Sequence, residues 1–322
     1  MTLAVFAKLL AIFATVAVGW VAARLHWLGR DITIAARALS SVAFFIFVPS
    51  LLFRTMVRQD FATMPWHTVA AYFVPTLLMA LVVYTLMRGT AARHGAAAPA
   101  TRATESVYGN AVQMGLPMAA AMFGERGLAI HITLVSIHGL ILLTVLTVLV
   151  EFDLARSNPG ASHVATLRNT VRSTVVHPVV LPVLAGLLWN LAGFGLPAVL
   201  DQTLATLGSA VVPVCLVLIG ISLAAYGVRG HVGTALLMSA LKLLVMPAVV
   251  LLAAHFVFGL SGLPLSVLVM MAAVPVGSNA LIFAQRYRTL EAEATAAIVF
   301  STLAFSVTAT LWLAVLGAMA AR

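Results

Sequence analysis

The sequence predicts an all-α, polytopic membrane protein of ten transmembrane helices built as two inverted halves of five. Three observations lead there. Of 322 residues, 62% are hydrophobic and only 8% are charged, whereas an ordinary soluble domain is about 45–50% apolar and about 25% charged. The apolar residues fall into runs near the length of about 20 that a helix needs to cross a bilayer. Proline and glycine interrupt two of those runs at positions that correspond between the halves.

The first span, 4–23, carries Lys8 near its start and superficially suits a secretory leader. It is expected to be retained, because the rhythm from Val18-Gly19-Trp20 to Val48-Pro49-Ser50 returns from Ala185-Gly186-Leu187-Leu188-Trp189 to Val212-Pro213-Val214. The second span, 36–57, and the third, 66–87, contain Pro49 and Pro75, read as ordinary kinks together with Pro178, Pro182, Pro213 and Pro247. The fourth, 104–123, holds Gly115-Leu116-Pro117 at mid-membrane depth, and Glu105 is expected to cap its positive start. The fifth, 127–150, places His131 and His138 seven apart, hence on one helix face.

Residues 151–176 form the longest polar stretch, with the turn signal Asn158-Pro159-Gly160. They are expected to be a cytoplasmic loop joining a first repeat, 1–150, to a second, 177–322. There the sixth span runs 177–194, and the seventh, 204–226, includes the single cysteine, Cys215. The eighth, 232–258, buries Lys242, and the ninth, 264–285, is interrupted at Val274-Pro275-Val276-Gly277. The tenth, 294–319, carries Ser301, Thr302 and Ser306, read as hydroxyls that hold helices together.

Five spans per half is an odd number, so the halves insert with opposite orientation. Loops on one side hold Arg24, Arg30, Arg37, Arg88, Arg93, Arg102, Arg156, Arg168, Arg172, Arg229, Arg286 and Arg288, which is 12 of the 18 basic residues. The other side holds Arg54, Arg58, Arg126 and Arg322, with Lys8 close to the N-terminus. The positive-inside rule makes the first group cytoplasmic, so both termini face outward from the inner membrane. Arg54 is expected to snorkel at the outer interface. The net charge of +9 comes without a basic cluster interleaved with aromatics, so nucleic acid is not an expected partner.

The same reading excludes several classes. A single cysteine offers neither a disulfide framework nor a cysteine metal site, and no cofactor is expected. No His-Glu-x-x-His, Gly-x-Ser-x-Gly or paired core aspartates occur, which disfavours an intramembrane enzyme. A phosphate-binding loop is absent, which excludes an ATP-driven pump. A non-transporting sensor would need a signalling domain that this length does not hold.

The run Gly109-Asn110-Ala111-Val112-Gln113-Met114-Gly115-Leu116-Pro117, continuing to Met122-Phe123-Gly124, resembles the fourth span of the auxin efflux carrier family. That family includes plant PIN-type auxin exporters and bacterial malonate and malate permeases. Ala273-Val274-Pro275 with Phe283-Ala284-Gln285-Arg286-Tyr287 resembles its ninth span, Lys242 with Leu243-Leu244-Val245-Met246-Pro247 its eighth, and Gly186-Leu187-Leu188-Trp189 its sixth. The resemblance covers essentially the whole chain. It implies a five-plus-five inverted repeat, similar to bile-acid symporters and sodium/proton antiporters, in which spans four and nine cross at their prolines. It further implies that spans one, two, six and seven form a scaffold and a homodimer contact, and that the remaining six move as an elevator. The large hydrophilic loop of many plant members is absent, and their Asn-Pro-Asn-Thr-Tyr signature reads His177-Pro178-Val179-Val180-Leu181 here. Small mono- or dicarboxylates such as malonate or malate therefore suit this chain better than auxin.

A broken helix exposes N–H groups at the start of its second half, where the helix dipole adds roughly half a positive charge. Two such starts, near Pro117 and Pro275, would hold a carboxylate at the midplane. The substrate-binding candidates are Asn110, Gln113, Gly115, Pro117, Pro275, Gly277, Ser278 and Asn279. Asn110 leads because it matches the family motif; the amides can also serve simply to repair the breaks. Lys242 is a charge deep in the membrane, costly at about 3 kcal/mol on insertion scales and so a functional candidate. It would either offset the negative ends of the broken half-helices or snorkel toward the cytoplasm, and its depth of two to three turns favours the first. His131 and His138 could relay protons, or be hydrogen-bonded packing residues, with His131 solvated at the outer end.

The expected function is a secondary or potential-driven transporter of small organic anions, with H+ or Na+ coupling open. A cation/proton antiporter or sodium-coupled symporter on the same fold is the nearest rival. Such a protein needs buried carboxylates, and the fourth span has none deeper than Glu105.

Overall fold

The computed structural model describes residues 3–60, 62, 64–157, 168, 172, 176, 178, 180–226 and 232–320, and within these the side chains of 3–10, 12, 13, 113, 117 and 320 are outside the description. The expected turn at Asn158-Pro159-Gly160, His177, Arg229 and Arg322 fall outside as well. Among the described residues the regular elements are helices, joined at one point by an isolated antiparallel bridge between Gly109 and Val276. The chain runs α1 (Leu3–Arg24), α2 (Ile32–Val42), α3 (Val48–Arg58), α4 (Trp66–Met87), the short α5 (Ala91–His94), α6 (Ala98–Val107) and α7 (Leu116–Arg156). It continues with α8 (Val180–Leu191), α9 (Ala198–Ser209), α10 (Val211–Tyr226), α11 (Val232–Ala240), α12 (Met246–Leu252), α13 (Gly262–Ala273), α14 (Ser278–Arg286) and α15 (Glu291–Ala320).

Six helical stretches are long and apolar enough to cross a membrane: Ile32–Arg58, Trp66–His94, Met118–Arg156, Ala198–Ala225, Val232–Val257 and Glu291–Met319. The expected polar stretch from residue 151 begins inside α7, which stays helical through Arg156. Near its other end α7 is broken at Gly124, whose φ of 62° and ψ of −161° are not helical. That break falls between the sequence spans 104–123 and 127–150.

Three prolines leave the same mark. A π-helical turn precedes Val48-Pro49 (Ala43–Phe47), Leu116-Pro117 (Ala111–Gly115) and Met246-Pro247 (Leu241–Val245). Proline has no N–H to give to the carbonyl four residues back, and widening the turn before it accommodates the defect without ending the helix. At Pro247 the abandoned acceptor is the Leu243 carbonyl. Trp312, from α15, donates its indole N–H to it at 2.8 Å. The entry to α2 is built differently. Asp31 accepts from the Thr33 hydroxyl at 2.6 Å and from the N–H groups of Thr33 and Ile34 at 2.9 and 3.3 Å. Those bonds, the hydroxyl first, hold its carboxyl below the usual carboxylate range.

The helices pack as two groups. In one, α1 lies against α10, and the approach is so close that a Cβ on Gly19 would strike the Val217 carbonyl and one on Gly220 the Val16 carbonyl. In the same group α8 packs on α3, and the Asn190 amide donates to the carbonyls of Met56, Val57 and Gln59 at 3.1, 2.8 and 2.8 Å, closing the end of α3. Asp201 of α9 bonds the same helix by accepting from Arg54 at 2.9 Å and from Arg58 at 2.6 Å. Arg54 is thus ion-paired and does not snorkel freely, because Asp201 stands opposite it.

The second group gathers α4, α6, α7 and α11 to α15. At its centre Arg102 makes a two-pronged ion pair with Glu293, at 2.7 and 2.8 Å, with both side chains almost wholly buried. Arg102 was expected in a loop. It lies within α6, because that helix begins at Ala98 with Pro99 in its first turn, well before the apolar run announces it. For the same reason Glu105 does not cap a helix start: it is in the last turn of α6, fully buried, and neither carboxylate oxygen has a hydrogen-bond partner.

Candidate functional site

The two interrupted segments meet. Between α6 and the π-turn, Tyr108 (φ −81°, ψ 103°) and Asn110 (φ −76°, ψ 61°) leave the helical conformation. Between α13 and α14, Val274 (φ −60°, ψ 148°) and Gly277 (φ −81°, ψ 152°) are extended. The Asn110 N–H donates to the Pro275 carbonyl at 2.8 Å and the Gly277 N–H to the Tyr108 carbonyl at 2.9 Å. Glycine is required at the contact. A Cβ on Gly277 would sit 2.9 Å from the Gly109 carbonyl oxygen, and one on Gly109 would sit 2.6 Å from Val274 Cγ2. Within the second break, the Val276 N–H is met by the Ser301 hydroxyl at 3.1 Å.

The first interruption is thus at 108–110, not at Gly115-Leu116-Pro117 where the sequence located it. Gly115 has helical dihedrals, φ −66° and ψ −46°. The π-turn absorbs the missing donor of Pro117, and the true break lies one to two turns earlier, where Gly109 admits the partner chain. The second interruption lies at Pro275 itself. The side chains of Gln113 and Pro117 are outside the described residues, so only their backbone is placed, in the π-turn and the first turn of α7.

Around the crossing, Asn279 donates its amide to the Tyr108 hydroxyl at 2.8 Å, which ties the start of α14 to the first break. Asn110 is buried, and its side-chain oxygen has no partner. Ser278 is buried beside it in the first turn of α14. Lys242 is fully buried in the π-turn of Leu241–Val245, and its ammonium donates to the Ala272 carbonyl at the end of α13. A Cβ on Gly109 would stand 3.2 Å from the same ammonium, so the charge lies against both breaks.

The two histidines take different partners. His131 is fully buried, not solvated, because its Nε2 reaches back to the Ala111 carbonyl at 2.8 Å. A carbonyl only accepts, so Nε2 carries the proton. The helix has left that carbonyl unused, since Gly115 N–H goes to Asn110 and Leu116 N–H to Val112. Gly115 gives the ring room: a Cβ there would collide with it. His138 is also buried and packs edge-on against Tyr108, 4.6 Å between ring centres, with its Nε2 unpartnered.

A cavity of about 460 Å³ opens on the crossing. It is lined from one side by Asn110, Gly277, Ser278, Asn279, Tyr108 and His138 and from the other by Leu51, Arg54, Thr55 and Gly208. The cavity therefore lies between the two packing groups, with polar side chains of both among its lining. Gly115, Pro275 and Lys242 are not on its lining; they shape or buttress the crossing from behind. Sequence reasoning passed over Tyr108, whose ring and hydroxyl touch both His138 and Asn279. Its place directly before Gly109-Asn110 was the available signal. Ser301 was read as helix glue, and it does bind backbone, but backbone freed by the second break. Among the described residues no group of three or more His, Cys, Asp or Glu stands ready to hold a metal ion.

No curated protein matches the chain. The family model described as membrane transport protein matches residues 4–313. The helices long enough to span a bilayer, the interrupted pair and that match along almost the whole length agree: the chain is a multi-pass membrane transporter and belongs to the membrane transport protein family, that of the auxin efflux carriers.

Proposed function

We propose that this transporter carries small organic anions, mono- or dicarboxylates of the malonate or malate type, by an elevator form of alternating access. The observation that carries the reading is the paired crossing of Gly109 and Val276 with the cavity it closes. The start of α14 brings the N–H groups of its first turn there, which a helix leaves without internal partners, together with the positive end of its dipole. An anion can be held by such groups without a dedicated arginine. Asn110, with its unpartnered oxygen, Ser278 and Asn279 supply side-chain contacts, and Lys242 compensates the negative end of α13.

In this reading the chain makes ten passes as two inverted repeats, with both termini outside the inner membrane. The group of α1, α2, α3, α8, α9 and α10 is the scaffold and dimer contact, and the other group moves. The packing of the helices into those two groups supports it, as does the position of the cavity between them. The coupling ion would be H+ or Na+, and His131 and His138 are candidates for a proton relay. The rival cation antiporter needs a carboxylate at the crossing. Glu105, the acid nearest in sequence, is in the last turn of α6 and not on the cavity lining.

The test is counterflow of labelled malonate and malate in liposomes holding the purified protein. Accumulation that falls at least tenfold in Asn110→Ala and Lys242→Met, with both variants still folded, is the expected result. Wild-type rates in both variants would overturn the site, and conversion of the label to a product would overturn transport.

A further inference from the structure

Away from the crossing, Arg37 of α2, Arg286 at the end of α14 and Arg288 just beyond it converge on a small pocket of about 120 Å³. Ser40, Ser41 and Gln285 complete its polar wall. Arginine is usually neutralised when it gathers, yet no carboxylate of the described residues lies within ion-pairing distance of these three. Asp31, whose charge does reach Arg37, is already engaged as the cap of α2. The guanidinium of Arg286 is held over the rings of Phe44 and Phe45, 5.7 and 5.4 Å from their centres, which fixes its direction.

Arg288 is held in place by its backbone. Its φ is 51°, and that of Leu290 is 57°. Both are in the left-handed region that side chains other than glycine's adopt only where the surroundings impose it. Gln285 is buried in the wall, with its amide donating to Ser222 and its carbonyl oxygen unpartnered. The pocket is thus shaped and positively charged, and no carboxylate of the described residues is ion-paired to its arginines. Phe45 and Val42 stand exposed beside it on the apolar surface of α2 and the turn that follows.

We propose that this pocket binds the phosphate of an anionic phospholipid. Three guanidinium forks match phosphate oxygens, and basic pockets between membrane helices are the usual seat of acidic headgroups. The exposed aromatic and valine give the acyl chains a surface. A headgroup seated there joins α2 to α14, the helix that starts at the crossing.

The test is native mass spectrometry and thermal unfolding of the detergent-purified protein, titrated with phosphatidylglycerol, with phosphatidylcholine and with inorganic phosphate. The wild type is compared with Arg37→Gln/Arg288→Gln, two exposed side chains whose loss leaves the core intact. The expected result is phosphatidylglycerol binding at least tenfold tighter than phosphatidylcholine, falling to the phosphatidylcholine level in the double variant, with no effect of inorganic phosphate. Equal binding by inorganic phosphate, lost in the same variant, would keep the phosphate site and assign it a soluble source. Failure of both to bind, or undiminished binding in the double variant, would overturn the proposal.

Discussion

The N–H of Gly277 bonds the carbonyl of Tyr108 at 2.9 Å, and this contact leaves no space for a side chain at 277. A methyl there would press on the Gly109 carbonyl, which is backbone and cannot rotate away. Gly277→Ala is therefore expected to force the interrupted segments apart, at a cost of about 1–3 kcal/mol, and to abolish uptake. Thermal unfolding and liposome uptake of the variant measure the two effects.

The Trp312–Leu243 bond exists because Pro247 cannot use that carbonyl. Removing the indole N–H with Trp312→Phe leaves a buried acceptor unmet, at roughly 1–3 kcal/mol. Pro247→Ala restores a backbone donor at 247. In that background the same Trp312→Phe change is expected to cost less, and a double-mutant cycle on thermal stability reads the difference. Equal costs in both backgrounds would refute the link between proline and tryptophan.

Arg102 and Glu293 form an ion pair with almost no exposure. Breaking it from one side, by Arg102→Met or Glu293→Gln, strands a buried charge or removes its main partner, and about 3–5 kcal/mol is expected to be lost. Replacing both by apolar residues of similar volume is expected to cost less than either single change. Unfolding midpoints of the three variants in one detergent decide it.

Asp201 pairs with Arg54, which is on the cavity wall, and with Arg58. These side chains keep some exposure, so Asp201→Asn should alter stability by less than about 1 kcal/mol. It leaves Arg54 without its neutralising partner. If the cargo is an anion, KM should fall by up to about fivefold at low ionic strength, with the effect shrinking as salt screens the charge. An unchanged KM at low salt would count against Arg54 facing the entering anion.

The long helices were legible because lipid imposes length and composition together: residues 66–87 are helical to both ends, and 232–258 to within one residue. The second break was legible because Pro275 lies inside it. The first was misplaced because proline was taken as the breaking agent. Pro117 is absorbed by a π-turn, and what breaks the chain is the need of Gly109 to touch another segment. Contacts between residues far apart in sequence left no local trace. Arg102 looked like a loop arginine until Glu293, 191 residues away, gave it a partner. The Asn190 amide, closing a helix more than 130 residues earlier in the chain, was equally hidden.

Both backbone bonds of the crossing join main-chain atoms, and among the side chains that face the cavity the Asn279–Tyr108 bond adds one further tie between the two segments. Asn110 and Ser278 are free to vary as long as the two glycines and that tie persist. Descendants of such a protein can acquire new cargoes by exchanging a few surface groups, while the joint beneath them is inherited unaltered.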